Sequence, residues 1–147
     1  MRRRLLVAAL ALGLAACAAP GPDARREAVV RSLEGRWQLV SEVSNGKSLP
    51  EEFVRRVNVS IRDGHHSVII DGKTVLHEIP FEFDAAADPM TSIDRLPDGR
   101  EILGIFRVDG DALVSCVGAP GRPRPTDFTA PAGSGQVLRV FRRLPPA

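Results

Sequence analysis

Five Asx-Gly pairs punctuate the chain: Asn45-Gly46, Asp63-Gly64, Asp71-Gly72, Asp98-Gly99 and Asp109-Gly110. Such pairs accept the positive φ angles that tight hairpins demand, so each predicts a reversal between neighbouring antiparallel strands. Between the reversals, apolar and polar residues alternate. Trp37, Leu39 and Val43 alternate with Gln38 and Glu42, and Val57, Val59 and Ile61 with Asn58, Ser60 and Arg62. Val75, Ile79, Phe81 and Phe83 alternate with Glu78 and Glu82. A period of two gives a strand one wet face and one buried face. Together the two signals predict eight strands, at 36–44, 57–62, 66–70, 74–83, 92–96, 102–108, 112–117 and 136–143. So many short strands must hide their edges. The economical solution is an all-β fold, an eight-stranded antiparallel up-and-down barrel, with a two-sheet sandwich as the alternative.

Helical signals are confined to the first half of the chain. Ala24, Ala28, Val29 and Leu33 give a weak helical stripe over 23–33, with Asp23 as N-cap and Gly35 as stop. A second single turn is predicted to start with Pro50 at its first position, where Glu51 and Glu52 favour a helix N-terminus.

The start of the chain reads as a targeting segment. Arg2, Arg3 and Arg4 precede an apolar run over 5–16 and then small residues, the tripartite pattern of a secretory signal peptide. A helical span needs about 20 apolar residues, and this run is too short. Leu14-Ala15-Ala16-Cys17 resembles the bacterial lipobox. That resemblance implies a signal peptide over 1–16, with Cys17 lipidated as the mature N-terminus and the membrane as a partner through that lipid. Ala16-Cys17-Ala18 also satisfies a plain secretory cleavage rule. The acyl chains of a lipoprotein would hold it stably on a membrane surface. Ala18, in place of an aspartate, resembles the default for sorting to the outer membrane, so the expected location is the bacterial cell envelope, facing the periplasm. Residues 18–22 read as a tether, 33–143 as the folded domain and 144–147 as a tail.

Charge and cysteine content narrow the partners. The formal net charge is +2, but removing Arg2, Arg3 and Arg4 leaves 17 basic residues against 18 acidic ones. Nucleic-acid binding needs a positive surplus to displace counterions, so it is not expected. After Cys17, only Cys116 remains, which excludes an internal disulfide in the mature domain and leaves stability to a packed core. Cys116 lies in an apolar run and reads as a small buried thiol.

Several blocks resemble a known family. Leu33-Glu34-Gly35-Arg36-Trp37, Asn45-Gly46-Lys47-Ser48-Leu49-Pro50, and Leu103-Gly104-Ile105-Phe106 leading into Asp109-Gly110-Asp111 are three of them. Arg124-Pro125-Thr126-Asp127-Phe128 and Gly133-Ser134-Gly135 before Val137-Leu138 complete the set. In order and spacing these are similar to a conserved-hypothetical domain family abundant in planctomycetes, over roughly 33–143. The family carries no established activity, and its members look lipocalin-like. Ser115 departs from it, standing where the family commonly has leucine. The likeness implies a barrel cap. Gly35-x-Trp37 resembles the lipocalin G-x-W motif, whose indole closes one barrel end beneath an arginine of the last strand, here Arg143 or, as the alternative, Arg142.

Enzyme signatures are missing: there is no G-x-S-x-G elbow, phosphate-cradling glycine loop, H-E-x-x-H or paired C-x-x-C. No cofactor and no metal are implied. His65 and His66 point to opposite faces beside the Asp63-Gly64 turn and read as solvated. Asp109 and Asp111 read as turn formers. His77 shares the parity of Val75, Ile79, Phe81 and Phe83 and is expected to point inward, unless Pro80 marks a bulge that resets the parity. Arg124 sits in a proline-rich loop over 119–125 that could overhang a barrel mouth. The candidate ligand-facing residues are therefore His77, Phe81, Phe106 and Arg124. They suit a non-enzymatic binder of a small apolar or amphipathic ligand. The alternative is a filled barrel acting through its outer surface on an envelope protein.

Overall fold

Every predicted strand is present in the computed structural model, which describes residues 21–146. Residues 1–16, Cys17 and most of the expected tether lie outside the described residues. The elements run α1 (Pro22–Leu33), β1 (Gly35–Ser44), β2 (Lys47–Ser48), α2 (Glu51–Val54), β3 (Val57–Arg62) and β4 (His65–Ile70). They continue with β5 (Lys73–Asp84), β6 (Met90–Arg95), β7 (Glu101–Asp109), β8 (Ala112–Val117) and β9 (Val137–Arg143). Strands β1 and β3 to β9 pair antiparallel in chain order, and β9 pairs back onto β1. The sheet is thus a closed eight-stranded up-and-down barrel in which no main strand is left as an edge. β2 is a two-residue rung on β1.

The Asx-Gly pairs act as the turn chemistry requires. Asn45, Asp63 and Asp71 have φ of 49°, 50° and 51°, and the glycines that follow have 82°, 72° and 75°. Two successive positive φ angles match the right-handed twist of the flanking strands. Gly46 is further constrained, because a Cβ there would lie 2.7 Å from the Ala132 backbone nitrogen.

The helix starts differ from expectation. Gly21, with extended backbone, occupies the N-cap of α1 and makes no side-chain cap, while Asp23 sits in the first turn and acts only on the helix dipole. The tether is shorter than expected, since Pro22 already belongs to the helix. Pro50 is the N-cap of α2 and not its first helical residue.

Three register shifts decide which side chains enter the barrel, one on β1 and two on β5, the second of the latter leaving Val75 extra between Leu76, opposite Val68, and Thr74, opposite Ile69. On β1, Leu39 pairs with Phe141 and Ser41 with Val140, so Val40 is an extra residue. On β5, His66 pairs with Ile79 and Val68 with Leu76, which leaves Ser67 opposite both His77 and Glu78. Glu78 takes φ 47°, and its N–H donates to Ser67 Oγ at 2.9 Å. An inserted residue bends the strand and swaps the faces beyond it. Trp37, Leu39, Ile61, Phe106, Leu113 and Phe141 form the centre of the buried core. Outside the wall, the 118–136 segment covers β8. There Cys116 is fully buried and donates from Sγ to the Thr129 carbonyl at 3.1 Å. Burial, with Asp127 nearby, pushes its pKa up and keeps it a thiol.

Candidate functional site

One end of the barrel is plugged by the start of β1. Trp37 is fully buried, and its Nε1–H donates to the Leu33 carbonyl at 2.8 Å, joining α1 to the wall. The Arg143 guanidinium carbon lies 4.1 Å from the centre of the indole. Arg143 also donates to the carbonyls of Glu34, at 2.6 Å, and Ser32, so the last strand ties down the helix-to-strand corner. Gly35 makes this approach feasible, since a Cβ there would come within 3.1 Å of Arg143 Nη1. Arg142, on the opposite face, takes no part in the stack.

Behind the plug lies a cavity of about 380 Å³. Its walls are largely apolar, including Val57, Val59, Val68 and Ile70. Phe53 of α2 and Leu76 of β5 line it while remaining 36% and 40% exposed, so the mouth opens between these two elements. Phe81 and Phe106 face the cavity as expected from sequence.

The other two expected ligand-facing residues do not. His77 is outside the barrel: its side chain is 73% exposed and lies 3.7 Å from Glu78. The His77–Glu78 bulge resets the parity two residues before Pro80, where the sequence suggests an interruption, and Leu76 takes the inward place. Arg124 is also absent from the lining. Its Nη1 donates to the Ser92 carbonyl at 2.6 Å and to that of Gly104, so it clamps β6 to β7 and has little left for a ligand.

A polar belt takes their place. Glu42, His66, Ser92, Asp94, Ser115 and Arg139 all line the cavity. Glu42 was expected on the wet face; the extra residue at Val40 turns it inward, where its side chain is 14% exposed. Arg139, opposite Glu42 in register, donates from Nε to Glu42 Oε2 at 2.7 Å. Ser115 is opposite Arg139 on the other side. His66, expected to be solvated beside its turn, shares the inward parity of Val68 and Ile70, whereas His65 stays exposed. Burial pushes the His66 pKa down and the Asp94 pKa up, with smaller opposing effects of each on the other. The imidazole is therefore held neutral at physiological pH. Room at this depth depends on Gly104, where a Cβ would meet Ser92 Oγ at 2.7 Å and Val117 Cγ1 at 2.9 Å.

Sequence reasoning missed the belt, although one signal was available. If Arg143 caps Trp37 from inside the barrel end, Phe141 and Arg139 share its face. No helix among the described residues is long and apolar enough to cross a membrane, and among them no group of His, Cys, Asp and Glu side chains could hold a metal ion. No family model, curated protein or solved structure matches the chain.

Proposed function

We propose that this protein is a non-enzymatic carrier that holds one small amphipathic molecule inside its barrel, on a chain anchored to the cell envelope through lipid on Cys17. The observation that carries the binding half is the cavity of about 380 Å³ with six polar side chains converging on an otherwise apolar wall. Ligand sites are typically concave, about 300 Å³ or larger, mostly apolar and furnished with a few placed polar groups. An eight-stranded barrel can fill its own interior, and a scaffold acting through its outer surface would have no use for the void. The anchoring half rests on Leu14-Ala15-Ala16-Cys17, which resembles the bacterial lipobox.

Native mass spectrometry of protein isolated from its own host tests the binding half. The expected spectrum shows the chain plus one noncovalent small molecule, lost on gentle activation. Bare protein alone, with no uptake of any amphiphile added afterwards, would remove the reading and leave the scaffold. Intact-mass analysis tests the anchor: acyl mass on a chain starting at Cys17 is expected, and an unmodified chain starting after Ala18 would refute it.

A further inference from the structure

The charges inside the barrel do not balance. Arg139 is compensated by Glu42, bound at 2.7 Å. Asp94 is not compensated: among the described residues its carboxylate makes no ion pair or hydrogen bond. The group facing it from β4, His66, is held neutral by burial. Arg139 also acts on Asp94, as the weakest of the influences on it, but is already paired with Glu42, and the residues opposite Asp94 in register are uncharged. Phe81 on β5 and Ile102 on β7 stand directly opposite Asp94 in register. Residues opposite each other on adjacent strands have Cβ atoms about 5 Å apart, so Asp94 and Phe81 present a carboxylate and an aromatic ring to the same small volume. The His66 ring lies 6.0 Å from that of Phe81 and extends the aromatic surface. A carboxylate beside aromatic faces is complementary to an organic ammonium group, which gains both an ion pair and cation–π attraction in a largely apolar cavity. Among the described residues lining the cavity, an anionic headgroup has only the Arg139 cation to meet, and Glu42 already faces that guanidinium.

We infer that the barrel selects a cationic amphiphile, an alkyl ammonium whose headgroup sits between Asp94 and Phe81 and whose chain lies along Val59, Val68, Ile70 and Leu76 towards the mouth. This rests on the carrier reading above and narrows it to one headgroup chemistry. His66 and Ser92 supply hydrogen-bond acceptors for a primary ammonium, while Arg139, held back by Glu42, disfavours other cation positions.

The test is calorimetric titration of the purified protein at neutral pH with octyltrimethylammonium, octanol and octanoate, which share a chain and differ in headgroup charge. The ammonium is expected to bind about ten-fold tighter than octanol, with octanoate weakest. Asp94→Asn should bring the ammonium to the affinity of octanol and leave octanol unchanged. The variant removes a charge that burial already disfavours, so it is expected to fold, and the headgroup ranking on the wild-type chain stands whether or not it does. Equal affinity for all three probes, or octanoate binding tightest and losing affinity in Arg139→Gln, would overturn the cationic assignment while leaving the carrier reading intact. Binding of none of the three would overturn both.

Discussion

Replacing Trp37 tests the barrel end most directly, because three separate interactions converge on the indole. Trp37→Ala removes a fully buried ring, for which loss of packing and the resulting cavity cost about 3–5 kcal/mol. It also removes the stack with Arg143 at 4.1 Å, which contributes about 0.5–2 kcal/mol. A domain of this size should then melt about 10–20 °C lower. The chain has one tryptophan, so the melt must be followed by far-ultraviolet circular dichroism and not by intrinsic fluorescence. Trp37→Phe separates the contributions. It keeps most of the ring but leaves the Leu33 carbonyl without its donor, at a cost of about 1–3 kcal/mol. Arg143→Gln completes the set, and combining it with Trp37→Ala should show a coupling of about 1 kcal/mol, since the two residues are in contact. If Trp37→Ala melted within two or three degrees of wild type, or if the two substitutions were additive, the plug would not be holding the barrel end as the geometry implies.

Four further outcomes follow from the bulges and the belt. Gly104→Val should cost about 1–3 kcal/mol and reduce the space for any ligand, because its side chain would run into Ser92 and Val117; melts and probe titration read the two effects. Glu78→Gly should stabilise by about 0.5–1 kcal/mol, since it relieves a left-handed backbone at φ 47°, and a lower melting temperature would contradict the bulge. His77→Leu, on the outer wall, should change stability by about 0.5 kcal/mol or less and leave ligand affinity alone, whereas a selective loss of binding would return His77 to the interior. Asp94→Asn should be more stable than wild type at neutral pH. The raised pKa means that the folded state holds its proton more tightly than the unfolded state, so Asp94 favours folding at low pH and loses that contribution as pH rises through its folded value. The advantage of the variant should therefore shrink as pH falls towards the ordinary carboxylate range, and a pH-independent difference would argue against burial as the cause.

The strands and their order were legible because turn chemistry and alternation are local signals that each hairpin repeats. The interior was not, because parity is a running count that one inserted residue inverts. Glu42 and His77 show it: counting by two from Leu39 puts Glu42 outside and counting from Val75 puts His77 inside, and the inserted residues make both assignments wrong. The adjacent apolar pairs Leu39-Val40 and Val75-Leu76 carried a trace of the inversions, since an uninterrupted half-buried strand has no place for two apolar neighbours. His66 was misplaced for a different reason. Its proximity to the Asp63-Gly64 turn suggested solvent, although its spacing from Val68 and Ile70 placed all three on one face.

The belt also bears on the choice between carrier and scaffold. Stability alone gives a barrel no reason to enclose Glu42 with Arg139 or to leave Asp94 without a charged partner, because desolvation of an ion pair offsets much of its attraction and apolar residues of similar volume often serve better. Glycine at position 104 forgoes wall contacts in the same region, and Ser115 stands where a larger apolar side chain would fill the space. These are separate concessions, on β1, β6, β7, β8 and β9, and all of them enlarge or polarise a single volume. A scaffold would gain from reversing each one. A carrier would lose its site, so filling the lumen, as with Ser115→Leu, should raise the melting temperature while abolishing uptake of the alkyl probes. A variant that became more stable and still bound them would place the ligand somewhere other than the barrel interior.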